Sequence, residues 1–114
     1  MSEIRVNPIT ITDTESGKQY TLEFTRETVA FSERNGFALE DVQRALVTQP
    51  PLLFYYAFRA HHKGMPQVMT DKIFDQVIGQ SDQLLARLAE LYRAPLEYMY
   101  SGEGNTNPTM KLEL

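Results

Sequence analysis

The sequence predicts an α+β fold that is mainly α: an N-terminal two-stranded β-hairpin followed by a small bundle of four to five helices. Apolar and polar residues alternate over the first 25 positions, as in strands with one buried face. From Thr25 onward the apolar residues recur every three or four positions, which is typical of amphipathic helices. A chain of 114 residues suits one domain and is too short for two ordinary cores. We expect one domain over residues 1–100 (hairpin 1–25, helical bundle 26–100) and a flexible C-terminal tail over 101–114.

The hairpin is predicted from two short alternating runs on either side of a turn-rich segment. Residues Ile9–Thr12 and 20–25 each place apolar side chains two positions apart. The intervening residues 13–18 favour turns, so the two runs should pair antiparallel. Because Pro8 cannot donate a backbone hydrogen bond, residues 4–8 should lie at an edge or a bulge. An isolated hairpin is only marginally stable in water, so other elements must cover its apolar face.

The first helical segments are predicted from a cap, a stop and an apolar stripe. Thr25 should cap a helix that runs to about Glu33, and Asn35-Gly36 should end it in a left-handed conformation. A second apolar stripe follows, formed by Leu39, Val42 and Leu46. Two prolines at positions 50 and 51 then suit the first turn of a helix over residues 52–63, which should end near Gly64.

The last helices are predicted in the same way. Thr70 should cap a helix that Gly79 interrupts, and Ser81 should cap the next one. That next helix has a strong apolar stripe, formed by Leu84, Leu85, Leu88, Leu91 and Tyr92. Pro95 should separate a final short turn from it.

The helix over residues 52–63 is predicted to be apolar on nearly its whole circumference. At about 100° per residue, one apolar arc covers about 140°, and aromatic side chains fill a second arc on the other side. A helix of this kind is buried on more than one side. Either its own domain surrounds it, or it shares one arc with a partner or a second copy of the chain. In the second case the partner-binding residues are Phe54, Tyr55, Phe58 and His62.

Catalysis is not expected, because the chain lacks the residue sets of common enzyme sites. It has no cysteine, which excludes disulfides, thiolate metal sites and cysteine nucleophiles. His61 and His62 would point about 100° apart on a helix, so they cannot readily bind one metal ion. The carboxylates are scattered, and the Gly102-Glu103-Gly104 run is too short for a phosphate-binding loop. We expect a non-enzymatic protein without a cofactor or a bound metal.

Nucleic-acid binding and membrane insertion are also not expected. The net charge of −4 opposes contacts with phosphates. Residues 39–63 could form a helix-turn-helix, but the second helix begins with apolar and aromatic residues where base-contacting polar residues belong. No stretch approaches the roughly 20 apolar residues of a membrane span, and no signal peptide is visible. The sequence therefore indicates a soluble cytoplasmic protein.

The order of three motifs resembles a known family. The hairpin sequence GKQYTLEF (residues 17–24) is followed by the aromatic helix LLFYYAFR (52–59) and by an amphipathic pair of helices that ends in LYRAPLE (91–97). Over residues 17–97 this order resembles the tail assembly chaperones of long-tailed bacteriophages that infect Gram-positive bacteria. The resemblance implies a phage or prophage protein that coats the helical tape-measure protein and keeps it soluble until tail-tube subunits polymerise around it.

Further properties follow from the same resemblance. The protein would act in the host cytoplasm, could form a homo-oligomer along its client, and would be absent from the finished virion. In several such phages a ribosomal frameshift also makes a longer form, and the family has no catalytic residues. From the residues alone, two other functions stay open: a helical protein-interaction adaptor unrelated to phages, and a small nucleic-acid-binding protein.

Overall fold

The computed structural model describes residues 6–101 and 109–114. Its elements, in chain order, are β1 (Ile9–Thr12), β2 (Gln19–Leu22), α1 (Arg26–Arg34), a 3-10 helix (Leu39–Gln43), α2 (Gln49–Phe58), α3 (Gln67–Val77), a second 3-10 helix (Ile78–Gln80) and α4 (Leu84–Ser101). The predicted class is confirmed: an antiparallel hairpin precedes a bundle of four α-helices. Half of the predicted tail (residues 102–108) and the first part of the predicted edge segment lie outside the described residues.

The hairpin has the predicted pairing. Ile9 lies opposite Leu22 and Ile11 opposite Tyr20, so these four side chains share the face that packs on the core. The turn is closed by Asp13, whose Oδ1 accepts hydrogen bonds from the backbone N–H groups of Glu15 (2.9 Å) and Ser16 (3.3 Å). These donors stabilise the carboxylate and hold the pKa of Asp13 below its ordinary value.

The outer edge of β2 is closed by the C-terminal half of α2 and the turn that follows it. The backbone N–H of Glu23 donates to the carbonyl oxygen of Ala57 (3.0 Å). Two residues earlier, the N–H of Thr21 donates to Nε2 of His62 (3.0 Å). Backbone donors that would otherwise be left at a buried edge are therefore satisfied. This attachment holds the apolar face of the hairpin against the helices.

Both ends of α1 follow the sequence prediction. Thr25 is the N-cap, with its Oγ1 accepting from the N–H of Thr28 (3.2 Å) and the Thr28 hydroxyl accepting from the N–H of Thr25 (2.8 Å). At the other end, Gly36 has a φ of 85°, a left-handed conformation that glycine adopts without strain. The chain therefore turns sharply after α1 and brings Phe37 into the core.

The core is centred on α2. The N-terminal half of the chain, α3 and α4 all pack against this helix. Its buried side chains include Leu53, Phe54, Ala57 and Phe58. The Phe54 ring lies 5.1 Å from the Phe58 ring and 5.2 Å from the Phe74 ring of α3, both in edge-to-face geometry, which is favourable for aromatic pairs.

Three helix predictions before α4 are wrong in detail. The stripe at Leu39 and Val42 forms only a short 3-10 helix, and Leu46 is 72% exposed because it follows that helix in a loop. The central helix ends at Phe58, earlier than predicted, so that the chain turns before His62. Thr70 does not cap α3, because the helix already begins after Pro66 and encloses Thr70, whose hydroxyl donates to the carbonyl of Gln67.

The prediction for Pro95 is also wrong. α4 has 18 residues, from Leu84 to Ser101, and it continues through Pro95 without a break. Proline at this place removes one backbone donor toward the preceding turn. Leu88, Leu91 and Tyr92 are buried just before it, so their packing holds the helix onto the core where the ladder is interrupted.

A buried polar pair joins α1 to α4 and gives a test of the packing. Ser32 Oγ donates to the carbonyl of Val29 (2.7 Å), so the Tyr92 hydroxyl, 2.9 Å from Ser32 Oγ, donates to it. Burial raises the pKa of Tyr92, which keeps the hydroxyl protonated as this bond requires.

Ser32→Ala should lower the free energy of unfolding by about 1–3 kcal/mol, because the buried Tyr92 hydroxyl loses its acceptor. Tyr92→Phe should cost about 0.5–1.5 kcal/mol, since Ser32 keeps its bond to Val29. Urea unfolding measures both, and the double variant should cost less than the sum of the two. Equal costs for the single variants, with full additivity, would contradict this geometry.

Candidate functional site

Two of the four predicted partner-binding residues are sealed inside the domain. Phe54 is 0% exposed and Phe58 is 1% exposed. They contact each other, and Phe58 also contacts the Tyr20 ring of β2 at 5.7 Å. The prediction that they form a partner surface is therefore wrong: the hairpin and α3 cover the arc that was assigned to a partner. Of the two explanations for the apolar circumference of this helix, the structure selects the central helix.

Tyr55 and His62 are partly buried and serve the domain itself. The Tyr55 ring lies 5.2 Å from that of Tyr56, on the side of α2 next to the core. The His62 ring lies 5.3 Å from the Tyr20 ring in edge-to-face geometry, and its Nε2 accepts the Thr21 hydrogen bond. Since α2 ends at Phe58, His62 does not continue the aromatic arc of the helix. His62 therefore joins the end of α2 to the hairpin, and we call its hydrogen bond with Thr21 the His62 clasp.

The electrostatics of His62 agree with this role. An acceptor nitrogen requires the neutral imidazole, because both ring nitrogens of the charged form are donors. Burial lowers the pKa of His62, and the neighbouring His61 and Lys18 lower it further. Next to it, His61 donates from Nε2 to Oε1 of Glu23 over 2.7 Å, so the two adjacent histidines contact β2 at Thr21 and the residue that directly follows the strand.

The described part of the chain has an open groove between the hairpin, α3 and the start of α4. Its volume is about 850 Å³. The apolar side chains that line it are Ile9, Ile11, Tyr20, Met69, Ile73, Val77 and Leu84. On α3 these residues recur at intervals of four, so they form one stripe along the helix. Most are partly buried by the core beneath, whereas Met69 is 42% exposed.

Charged side chains stand at opposite ends of the groove wall formed by the hairpin. Asp13 and Glu15 lie in the β1–β2 turn at one end. At the other end Arg87 of α4 reaches the chain just before β1, where its Nη2 donates to the carbonyl of Asn7 (2.6 Å). Lys72 lines the groove from α3. An apolar floor with polar, charged margins is the usual character of a surface that binds another protein segment.

Local patterns in the sequence indicate each wall of this groove separately. Ile73 and Val77 are four positions apart and share a helix face, and Ile9 and Ile11 share one face of a strand. No local pattern says that the two faces remain apart at one margin and leave a gap. The position of one face relative to the other depends on how the hairpin is attached to α2. This attachment uses the Thr21–His62 bond, across 41 positions in sequence, and the Glu23–Ala57 bond, across 34.

The comparison with family models covers the whole chain. A model described as a domain of unknown function, DUF5055, matches residues 1–114. The chain belongs to the DUF5055 family. No curated protein and no solved structure matches it. The description of the DUF5055 family assigns no activity.

Two further findings concern the described part of this DUF5055 chain. In residues 6–101 and 109–114, no three His, Asp or Glu side chains come together in a group that could hold a metal ion. Within the same residues, no helix has both the length and the apolar character needed to cross a bilayer.

Phe58→Ala should lower the free energy of unfolding by about 3–5 kcal/mol, because it leaves a cavity in the centre of the core. Phe54→Asp and Phe58→Asp should unfold the domain and not merely block a surface. Tyr100→Ala is the control, since this side chain is 82% exposed, and it should change stability by no more than about 0.5 kcal/mol. Circular dichroism with urea unfolding checks these values; a folded Phe58→Asp variant would contradict the burial.

The His62 clasp should make stability depend on pH. Because the folded-state pKa of His62 is lower than the unfolded value of about 6.5, the folded state binds fewer protons in that interval. The contribution of neutral His62 to the free energy of unfolding is complete above about pH 6.5, and it is lost as the pH falls toward the folded-state pKa.

The measurement is urea unfolding at a series of pH values from about 7.5 to 5, with an NMR titration of the His62 ring. His62→Gln can still accept from Thr21 through its amide oxygen but cannot titrate. Its unfolding free energy should vary less with pH than that of the unaltered protein. Identical pH profiles for the two proteins would exclude the clasp.

Proposed function

We propose that this protein is a non-enzymatic tail assembly chaperone, which binds an amphipathic helical segment of a phage tape-measure protein and keeps that protein soluble during tail assembly. The observation that supports the proposal is the groove beside α3, which is open, apolar at its floor and charged at its margins. The resemblance over residues 17–97 supplies the identity of the client. In this proposal the protein works in the host cytoplasm and leaves before the virion is complete.

A helical client suits the shape and chemistry of the groove. An amphipathic helix presents apolar residues at intervals of three and four, and the stripe on α3 has the matching interval. Ridges of one helix can then pack between those of the other. The polar face of the client would remain in solvent, where the charged margins can contact it.

Met69 gives the groove the adaptability that a chaperone needs. A tape-measure protein presents many different apolar segments, so its binding site must accept different shapes. Met side chains are flexible and polarizable, and they adapt to irregular apolar surfaces. Met69 is the most exposed member of the α3 stripe, and it lies in the first turns of the helix.

The test is co-expression of the protein with the tape-measure protein from the neighbouring gene, followed by solubility measurement and co-purification. Met69→Asp should reduce the amount of client recovered by at least about tenfold, because a carboxylate would be buried against an apolar client face. Val68→Asp is the matched control. Val68 is the adjacent residue of the same helix and is 62% exposed, but it does not line the groove.

Three outcomes are informative. Loss of client with Met69→Asp and not with Val68→Asp supports both the chaperone role and the groove. No gain in client solubility and no co-purification with the unaltered protein would rule out the role. Binding of unrelated amphipathic helices without the tape-measure protein would favour the alternative, a helical interaction adaptor.

A further inference from the structure

The strand β1 has an outer edge that no described residue pairs with. The ladder ends at the Thr12–Gln19 pair, and one position further on the N–H of Asp13 donates to the carbonyl of Lys18 (2.8 Å). Thr21, which lies opposite Thr10, directs its own N–H away from β1 to His62. Bonded and non-bonded pairs alternate in such a ladder. The N–H and C=O groups of Thr10 and Thr12 therefore point away from β2. In residues 6–101 and 109–114, no backbone or side-chain group binds them.

This edge is different from the outer edge of β2, which is closed by α2 and His62. The edge of β1 borders the groove, so its free backbone groups stand beside the apolar stripe of α3. A helix that occupies the groove satisfies its own backbone and leaves Thr10 and Thr12 unpaired. An extended segment would pair with them and fill the groove at the same time, as in β-strand addition.

The C-terminal residues of this chain have the pattern of such a segment. Apolar residues at 110, 112 and 114 alternate with Lys111 and Glu113, as in a strand with one buried face. Met110 is 87% and Leu112 is 80% exposed, and Leu114 is fully exposed. The segment lies outside every helix and strand. Addition of this segment to a sheet edge would bury these three side chains on one face.

We propose that residues 110–114 of a second copy of this chain add to β1 as an antiparallel strand and place their apolar side chains in the groove. The register follows from the two patterns. Thr12 would lie opposite Lys111 and Thr10 opposite Glu113, and these would be the hydrogen-bonded pairs. Leu112 would then lie beside Ile11 on the groove side of the extended sheet. Up to four backbone hydrogen bonds form, two at each threonine.

The charges at the two ends of β1 favour the antiparallel direction. In this register Lys111 lies next to the turn that carries Asp13 and Glu15. Glu113 lies toward the other end of β1, where Arg87 is bound to Asn7. A parallel strand would exchange these positions, so that Lys111 would approach Arg87 and Glu113 would approach the acidic turn. Charge complementarity of this kind fixes register and orientation more than it adds affinity.

Chain length favours a second copy over the same chain. The groove is bordered by the first turn of α4, whereas the C-terminal segment follows its last residue, Ser101. A helix of 18 residues is about 27 Å long. The eight peptide units from Ser101 to Thr109 can span at most about 28 Å. Pairing within one chain would therefore need an almost fully extended connection along the helix, whereas pairing between copies has no such limit.

Each copy would give one strand and receive one. Two copies can do this reciprocally in a dimer, and a larger number can do it head-to-tail in rings or open chains. One consequence rests on the proposed function: because the added strand and the client helix use the same groove, client binding and self-association should compete. The segment would cover the apolar groove until a client displaces it.

Cysteine cross-linking tests the contact directly, since the chain has no cysteine of its own. A Thr10→Cys chain and a Glu113→Cys chain are prepared separately, mixed and oxidised without any client. Their Cα atoms would be about 5.5 Å apart, which suits a disulfide. The expected product is a cross-linked pair that contains one chain of each kind. A mixture of Thr10→Cys with Lys111→Cys, two positions out of register, is the matched control and should give at least tenfold less product.

Light scattering of the 114-residue chain over a range of concentrations tests the same contact without cysteines. The mean mass should rise with concentration, and Leu112→Asp should raise the concentration needed by at least tenfold. Lys111→Gln should change this concentration less than Leu112→Asp does, because the side chain at position 111 points away from the groove. Because position 112 is exposed, neither variant disturbs the fold.

The outcomes separate this proposal from the proposed function. Equal cross-linking in both mixtures, or a mass that stays monomeric at all concentrations, overturns the strand addition whatever the client result. A cross-link within one chain, in a variant that carries both Thr10→Cys and Glu113→Cys, overturns the second copy as occupant. If Leu112→Asp remains monomeric and still recovers client, both proposals stand; if self-association is found but no client binds, only the chaperone role fails.

Discussion

The burial of α2 on all sides is the constraint on which the rest of this structure depends. Phe54 and Phe58 need neighbours around the whole helix, and the domain supplies them from β2, α1, α3 and α4. The hairpin covers one side of α2, so the outer edge of β2 lies against the end of this helix. Its backbone donors there bind Ala57 and His62. A small domain buries a limited fraction of its surface, so apolar side chains away from α2 stay partly exposed.

The same arrangement leaves the groove at the outer side of the hairpin, next to α3 and the start of α4. With β2 held on α2, β1 becomes the outermost strand, and its edge faces α3 and α4 across a gap. The gap combines two recognition devices that are usually separate: an apolar helical stripe and an unpaired strand edge. A helix uses the first device and an extended segment uses both. Under the two proposals, one kind of occupant would displace the other, which would link self-association to client binding.

The candidate site could be predicted from the sequence only in part. The stripe on α3 and the alternation in β1 were visible, because periodicity reports which side chains share a face. The choice of Phe54 and Phe58 as a partner surface was wrong, since an apolar arc looks the same whether a partner or the domain's own hairpin covers it. His62 was placed on the helix face because no local signal marks the end of α2 at Phe58. Its contact with Thr21 is made across 41 positions.

The sequence alone determined those features that depend on neighbours in the chain. Thr25 caps α1, Gly36 ends it, and the turn around Asp13 joins two strands, since each needs only backbone groups a few residues away. Only the tertiary structure decided how far α2 extends, that α4 continues through Pro95, and which strand edge stays open. These choices are made by packing between distant segments, whose energy exceeds the local preference of any single residue.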